Sequence, residues 1–291
     1  MPQLAYVNGQ ILPLASASLH VEDRGTQFGD AVYEVCAVLN GQILDWQPHV
    51  VRLRRNLAEL GIVLDIADAP LGLQARRLVA RNGYRDAIIY LQVSRGTARR
   101  DHAFPARAAA NLVMTVRRFD FAQRVRQLAT GIKVITQADN RWGRVDIKTV
   151  GLLPNVLAKQ AARDAGAFEA WLVAPADGGD VVREGSSTNA WIIKDGQIIT
   201  HPTGTHILPG IARDSLIRLG QQTQFTVEER PFTLAEALAA DEAFLTSTTA
   251  PILPVVAIDG QMIGDGKPGP ITGRLGRLVW QDVARQVGWR A

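Results

Sequence analysis

The stretch Asp146-Ile-Lys148-Thr-Val-Gly-Leu-Leu-Pro-Asn-Val-Leu-Ala-Lys-Gln160 places a lysine directly ahead of a predicted helix. Pro154 suits a first helical turn, and Gly166 ends the run. Three apolar residues recur on one face of this helix: Val156, Leu157 and Ala161. Lys148 therefore belongs to the connection that enters the helix and not to the solvated face of the helix.

A second informative stretch, Arg183-Glu184-Gly-Ser-Ser-Thr-Asn189, carries a carboxylate inside a polar, tightly turning loop. Pyridoxal phosphate chemistry requires a lysine amine that forms a Schiff base and a carboxylate that faces the pyridinium nitrogen. A single lysine is more often a solvated surface charge, and a Glu-Gly pair is more often a turn. The surrounding sequence must therefore decide between the catalytic and the structural interpretation.

Length and composition indicate a globular protein with room for two domains, since the chain has 291 residues and 21% of them are charged. The net charge is +4 and the arginines are scattered, which argues against a nucleic-acid-binding stripe. The single cysteine, Cys36, excludes an internal disulfide and fits a reducing compartment. The N-terminus lacks a signal-peptide pattern, and no stretch resembles a membrane span, so we expect a cytoplasmic protein.

Strand and helix patterns occur in both halves of the chain. Asn-Gly and Asp-Gly pairs predict hairpin turns. Predicted strands cover Leu4–Leu14 (a hairpin), Ala31–Leu39, Ile43–Trp46, Asp86–Ser94, Asn111–Arg117, Ile132–Thr136, Glu169–Val173, Ala190–Lys194, Ile198–Thr200, Phe225–Glu229, Glu242–Thr246 and Ile252–Ile258. Predicted helices cover Pro48–Leu60, Leu71–Arg81, Leu153–Ala165, Gly210–Gly220 and Ile271–Val287. With a boundary near Phe119–Ala129, the pattern predicts a smaller α/β domain (1–120) and a larger one (121–291), both with mixed sheets.

Three sets of residues have the chemistry to bind a phosphate. Gly210-Ile211-Ala212 opens a helix and offers unpaired N–H groups at the positive end of the dipole. Thr246-Ser247-Thr248-Thr249 offers hydroxyls after a strand, and Arg52 on the first helix offers a fixed cation. Each set has an ordinary structural interpretation, as a helix start, a strand-end turn and a solvated arginine, so only their joint occurrence suggests a cofactor site.

The long polar loop from Arg95 to Pro105 is too long for a hairpin turn. Arg100 and His102 in this loop, together with Tyr33 on the strand Ala31–Leu39, could clamp a substrate carboxylate. Taken alone, His102 would be interpreted as an exposed loop histidine.

With these residues, the chain resembles the class IV (fold-type IV) pyridoxal-phosphate-dependent aminotransferases, and among them most closely the D-amino acid (D-alanine) aminotransferases. The resemblance covers essentially the whole chain. Its motifs are Glu22-Asp-Arg-Gly-Thr-Gln-Phe-Gly-Asp30, Val32-Tyr-Glu34, His49-x-x-Arg52, Arg95-Gly-Thr-x-x-Arg100-x-His102, Asp146-Ile-Lys148, Glu184-Gly-Ser-Ser-x-Asn189, His201-Pro202, Gly210-Ile211 and Thr246-Ser-Thr-Thr249.

The resemblance implies a role for each candidate residue. Lys148 would carry pyridoxal 5'-phosphate and shuttle the substrate proton, while Glu184 would face the ring nitrogen. The remaining cofactor contacts would come from Arg52, Leu208, Ile211, Ala212, Ser247 and Thr248. Tyr33, Arg100 and His102 would hold the substrate carboxylate, with the arginine–histidine loop reaching the neighbouring site of a homodimer. Arg99 stands beside Arg100, and the spacing to His102 favours Arg100.

The activity implied by the resemblance is transfer of the amino group of D-alanine, or a similar D-amino acid, to a 2-oxo acid such as 2-oxoglutarate by a ping-pong mechanism. Two alternatives keep the cofactor: a 4-amino-4-deoxychorismate lyase, and an L-branched-chain or amine transaminase. A third alternative is a globular protein without enzymatic activity in which these motifs occur by coincidence.

Overall fold

The computed structural model describes residues 3–222 and 225–290, and this part divides into two compact units. The first unit comprises residues 3–120, Ile147–Gly151 and Gln286–Trp289. The second comprises Phe121–Asp146, Leu152–Arg285 and Arg290. The short stretch with Lys148 thus groups with the first unit and not with the rest of residues 121–291, the range predicted for the larger domain. Its backbone hydrogen bonds to strand Ala31–Leu39 give the physical reason.

Within the described residues, the first unit has a six-stranded antiparallel sheet in the order β2-β1-β6-β5-β3-β4. Its elements are β1 (Leu4–Val7), β2 (Gln10–Pro13), α1 (Arg24–Phe28), β3 (Ala31–Leu39), β4 (Gln42–Ile43), α2 (Trp46–Glu59), α3 (Asp68–Asn82), β5 (Ala87–Ser94) and β6 (Asn111–Arg118). Apolar residues of α2 and α3 pack with those of β3, β5 and β6 in one buried cluster. The amphipathic spacing of the two helices therefore covers one face of this sheet.

The second unit has a mixed sheet of ten strands within the described residues, nine of them in the order β12-β11-β10-β14-β15-β7-β8-β9-β13 and β16 paired with β15. Its elements are α4 (Phe121–Thr130), β7 (Ile132–Ala138), α5 (Leu153–Asp164), β8 (Glu169–Ala174), β9 (Val181–Gly185), β10 (Asn189–Lys194), β11 (Gln197–Thr200), α6 (Ile211–Gln222), β12 (Val227–Glu229), β13 (Phe232–Thr233), α7 (Leu234–Leu238), β14 (Glu242–Ser247), β15 (Ala250–Ile258), β16 (Gln261–Met262) and most of α8 (Pro270–Val287). Strand β7 pairs in parallel with β8 and β15.

The central strand β15 is buried along its whole length, and its side chains contribute to two apolar clusters. Leu253 and Val255 belong to one cluster and Ile252 to another. A strand that is buried on both faces typically has a continuous apolar sequence, and residues 250–258 have one. The prediction of a mixed α/β fold is confirmed, but within the described residues only the sheet of the second unit is mixed, and that of the first unit is antiparallel.

One local prediction needs correction, and one helix buries other residues than its apolar periodicity marks. Trp46 begins α2 and does not end a strand, because Asp45 adopts a left-handed conformation (φ 51°) that redirects the chain after β4. The apolar residues Val156 and Leu157 of α5 are 58% and 63% exposed, while the helix buries Ala158 and Ala162. No helix of residues 3–222 and 225–290 combines the length and apolar character that crossing a membrane requires.

Candidate active site

Lys148 lies beside Tyr33 in the first unit. The N–H of Tyr33 donates to the carbonyl of Lys148 at 3.0 Å, and the N–H of Val150 donates to the carbonyl of Ala31 at 3.2 Å, so the backbone around the lysine follows β3. The Lys148 Nζ donates to the Tyr33 hydroxyl at 3.2 Å and lies 4.3 Å from the centre of its ring. The structure therefore brings together the predicted Schiff-base amine and one member of the predicted carboxylate clamp.

Tyr33 is supported from the neighbouring strand by Tyr90. The two rings stack with centroids 5.5 Å apart, and the Tyr90 hydroxyl donates to Gln92 Oε1 at 2.8 Å. Burial, with a smaller effect from Tyr33, raises the pKa of Tyr90 to about 12. Tyr90 is therefore a neutral phenol near neutral pH and a fixed support for the ring of Tyr33.

Arg52 is not a solvated arginine, because a buried carboxylate from β3 holds it. Its Nε donates to Glu34 Oε1 at 2.8 Å and its Nη2 to Glu34 Oε2 at 2.7 Å. The His49 Nδ1 lies 2.7 Å from Glu34 Oε2. Burial alone would raise the pKa of Glu34, but Arg52 and His49 outweigh it and lower the pKa to about 2. The guanidinium is thus held in a defined orientation by a carboxylate that is ionised near neutral pH.

Arg100 and His102 are exposed in the segment between β5 and β6, which forms neither helix nor extended strand. Both side chains approach Phe28 at the end of α1. The Arg100 Cζ lies 5.1 Å from the centre of the Phe28 ring, and the His102 ring lies 5.5 Å from it. Arg99 is also exposed, and no ring contact comparable to that of Arg100 is described for it.

Glu184 is the penultimate residue of β9 in the second unit and does not lie in a loop as predicted; a set of donors holds its buried carboxylate. The Nδ2 of Asn189 donates to Oε2 at 3.0 Å, and the N–H of Leu208 approaches both oxygens at 3.1 and 3.2 Å. The Nη1 of Arg141 donates to Oε1. Two residues of one predicted motif, Glu184 and Asn189, are therefore connected by hydrogen bonds to each other and to the predicted cofactor contact Leu208.

Arg141, which is not among the residues predicted from the sequence, is a cation that pairs with Glu184. Asp139 binds it through two bonds, from Arg141 Nε to Oδ1 at 2.8 Å and from Nη2 to Oδ2 at 2.9 Å. Burial would raise the pKa of Asp139, but the bonds and charge of Arg141 outweigh it and lower the pKa. Asp139 follows β7 and Glu184 lies near the end of β9, so the contact of both with Arg141 depends on the pairing of the two strands with β8. The spacing Asp139-x-Arg141 alone does not predict the ion pair with Glu184.

A second buried carboxylate fixes the turn between Glu184 and Asn189. Glu169 on β8 accepts hydrogen bonds from the hydroxyl of Ser186, and from the hydroxyl and N–H of Ser187 at 2.7 and 3.2 Å. The Cβ of an alanine at Gly185 would lie 2.2 Å from Thr188 Oγ1. The Gly-Ser-Ser sequence is therefore explained by the turn that presents Glu184 and Asn189.

Four predicted cofactor contacts of the second unit lie at ends of secondary-structure elements. Helix α6 begins at Ile211, which is buried, and Ala212 follows it. Ser247 ends β14, where its hydroxyl accepts from the N–H of Ala250 at 3.1 Å, and Thr248 comes next in the turn. The start of α6 is closely fitted, because a Cβ at Gly210 would lie 2.0 Å from Asn189 Oδ1.

These donor sets fit the chemistry of pyridoxal phosphate. The first unit supplies an amine, Lys148, and an oriented guanidinium, Arg52. The second unit supplies the carboxylate of Glu184, held by Arg141, Asn189 and Leu208, for a pyridinium nitrogen. It also supplies the N-terminus of α6 and the hydroxyls after β14, both of which suit phosphate oxygens.

Comparison with known proteins agrees with this chemistry. The model of the amino-transferase class IV family matches residues 31–258. The chain belongs to the class IV aminotransferase family. It is 43% identical over 265 residues to a D-alanine aminotransferase of Bacillus licheniformis, covering 91% of this chain and 92% of the relative. It is 38% identical to a D-alanine aminotransferase of Listeria monocytogenes, covering 97% of this chain and 96% of the relative.

Solved structures of the family share the fold of this class IV aminotransferase. A branched-chain amino acid aminotransferase of T.th., solved with pyridoxamine 5'-phosphate, superposes with a TM-score of 0.89 at 27% identity. The alignment covers 99% of this chain and 98% of that structure. The prediction of a fold-type IV aminotransferase is confirmed.

Proposed function

We propose that this aminotransferase is a pyridoxal-phosphate-dependent D-amino acid transaminase that moves the amino group of D-alanine, or a similar D-amino acid, to a 2-oxo acid such as 2-oxoglutarate. The observation that carries the proposal is the identity of 43% with a D-alanine aminotransferase over 91% of the chain. The bound cofactor would act as the electron sink that stabilises negative charge at the substrate Cα.

Each proposed residue role rests on a contact in its own unit. The Lys148 Nζ would hold the cofactor and move the proton at the substrate Cα, since it lies on a backbone fixed along β3 and next to the Tyr33 hydroxyl. Arg52, oriented by Glu34, would bind phosphate. Glu184 would face the ring nitrogen, because Arg141, Asn189 and Leu208 hold its carboxylate in place.

Further cofactor contacts would come from Leu208, Ile211, Ala212, Ser247 and Thr248, of which Ile211 and Ala212 begin α6. Arg100 and His102, with Tyr33, would bind the substrate carboxylate and so determine which face of the Cα carbon meets the lysine. That orientation would select the D enantiomer.

An absorbance spectrum with single substrates tests cofactor, half-reaction and handedness together. With no acceptor present, D-alanine should remove the cofactor band above about 400 nm and L-alanine should not. Conversion by L-amino acids alone would favour the branched-chain alternative, and release of pyruvate from 4-amino-4-deoxychorismate would favour the lyase. Absence of any band after addition of pyridoxal phosphate would contradict the role of Lys148.

A homodimer is the second part of the proposal. Three apolar side chains at i, i+3 and i+4 spacing on α5 are exposed: Leu153, Val156 and Leu157 at 69%, 58% and 63%. A contiguous exposed apolar face of this kind suits contact with a second copy. Sedimentation should give twice the chain mass of 31.6 kDa. A cytoplasmic location, consistent with the reduced and buried Cys36, belongs to the same proposal.

A further inference from the structure

A buried arginine of α1, Arg24, binds the backbone of the segment that carries Arg100 and His102. Arg24 is 3% exposed, and its Nη1 donates to the carbonyl of Asp101 at 2.6 Å and to that of Ala103 at 3.3 Å. Its Nη2 donates to the carbonyl of His102 at 3.4 Å. One guanidinium thus contacts three consecutive backbone carbonyls of an otherwise irregular and exposed segment.

Arg24 is itself fixed by a carboxylate. Its Nε donates to Asp30 Oδ2 at 2.8 Å, and Arg95 binds both oxygens of the same carboxylate at 2.7 and 3.0 Å. Burial would raise the pKa of Asp30, but the hydrogen bonds and charges of Arg95 and Arg24 outweigh it and lower the pKa. The planar fork of an arginine held in this way presents its remaining N–H groups in one direction, which a lysine cannot do.

Phe28, at the other end of α1, supports the side chains of the same segment. Its ring lies 4.7 Å from the Arg24 Cζ, 5.1 Å from the Arg100 Cζ and 5.5 Å from the His102 ring. Distances below about 6 Å permit cation–π attraction to both arginines. The aromatic face therefore favours one arrangement of Arg100 and His102, while Arg24 fixes the backbone between them.

The remaining contacts anchor α1 to the sheet of the first unit. The N-cap residue Asp23 accepts from the Ser94 hydroxyl at 2.5 Å and from Asn111 Nδ2 at 2.7 Å. The N–H of Arg24 donates to the carbonyl of Gly96 at 2.9 Å. The helix is therefore tied to both strands that flank the Arg100–His102 segment, and can act as its rigid base.

We propose that Arg24 and Phe28 are positioning residues that pre-organise Arg100 and His102 for the substrate carboxylate. This inference rests on the proposed function, in which Arg100 and His102 bind that group. Pre-organisation lowers the entropy that ordering the segment would otherwise cost on binding, so its loss weakens substrate binding more than the chemical step. The positioning is the same whichever subunit's site the segment completes.

The test compares Arg24→Lys with a matched control, Arg54→Lys, in the holoenzyme. Arg54 also donates to an aspartate, Asp68, and to two backbone carbonyls, those of Leu64 and Ile66, in a segment without substrate residues. Arg24→Lys should raise the KM for D-alanine about ten- to a hundredfold with little change in kcat, the loss expected for misplaced binding groups. Arg54→Lys should keep the parent KM.

Hydrogen exchange of peptides covering residues 99–105, without substrate, gives a readout independent of activity. Exchange there should become faster in Arg24→Lys and stay unchanged in Arg54→Lys, while the cofactor absorbance band stays the same in both. Phe28→Leu should raise KM as well, and Phe28→Tyr, which keeps the ring, should restore it. A parent-like KM or parent-like exchange in Arg24→Lys would overturn the inference.

The activity of the parent enzyme distinguishes failure of the proposed function from failure of the positioning inference. If the parent does not transaminate D-alanine, the proposed function fails. If the parent is active and Arg24→Lys matches it, only the positioning inference fails.

Discussion

Replacing Glu34 by glutamine would leave the buried Arg52 without its carboxylate. The fold places both groups out of solvent, at 1% and 7% side-chain exposure, with two hydrogen bonds between them. The pKa of Glu34 falls from 4.5 to about 2. At about 1.4 kcal/mol per pKa unit, this difference corresponds to about 3 kcal/mol in favour of the ionised carboxylate in the folded unit.

Removing one partner of a buried ion pair costs about 3–5 kcal/mol, since the other charge stays buried and uncompensated. We therefore expect Glu34→Gln to destabilise the first unit by about that amount at pH 7. Because the folded pKa of Glu34 is lowered, its contribution is complete above pH 4.5 and disappears as the pH falls to about 2. Stability in this range should thus depend less on pH in Glu34→Gln than in the parent.

Hydrogen exchange of peptides from β3 and α2 measures the opening free energy of the unit concerned, and circular dichroism between pH 5 and pH 2 follows the acid transition. Asp68→Asn is the matched control, because Asp68 pairs with another arginine of α2 at 30% and 46% exposure. An exposed pair should cost at most about 1 kcal/mol. A loss below about 1 kcal/mol in Glu34→Gln, or an unchanged pH dependence, would refute the reasoning.

Three further changes test close contacts and the exposed helix face. Gly210→Ala should weaken cofactor affinity, measured by titrating cofactor-free protein, because the new Cβ lies 2.0 Å from the Asn189 Oδ1 and displaces a side chain that holds Glu184; an unchanged dissociation constant would contradict this. Gly96→Ala places a Cβ 1.9 Å from the backbone carbonyl oxygen of Ala109, at a position with φ 103°. It should lower the melting temperature far more than Gly9→Ala, because Gly9 has a similar φ of 97° but no atom within 4 Å of the added Cβ. Equal losses in the two variants would show that backbone conformation, and not the contact, determines the cost. Leu157→Glu should convert the proposed dimer to a monomer in sedimentation, since it places a charge on the apolar face of α5; a variant that still sediments as a dimer would exclude this face from the proposed interface.

The hairpin turns could be predicted from the sequence because Asn-Gly and Asp-Gly pairs favour the backbone conformation that such turns require. The pairs that begin at Asn8, Asn40, Asp195 and Asp259 all have positive φ at both residues, as type I′ hairpin turns require. Helix α1 was missed because five residues are too few for a recognisable period, and its cap depends on Asp23. Short elements that are stabilised by tertiary contacts are difficult to recognise from the spacing of apolar residues.

The candidate site was predictable in its residue types and less so in its ion pairs. Motifs identified Lys148, Glu184 and Arg52, but the partner of each charged group comes from another strand or helix. Arg141 reaches Glu184 across the β7–β8–β9 pairing, and Glu34 reaches Arg52 from β3 to α2. Register and helix packing determine such pairs, and neither can be read from residue spacing alone.

Helix α5 shows where apolar periodicity stops being informative. The spacing of Val156, Leu157 and Ala161 indicates an apolar face, and on this basis alone the face would be expected to pack into the core. The structure instead buries Ala158 and Ala162, small residues that let the helix approach β8 closely, with Ala170 and Leu172 in the same cluster. The larger residues stay exposed within the chain, so their periodicity does not report the core of one subunit and is instead consistent with the homodimer proposed above.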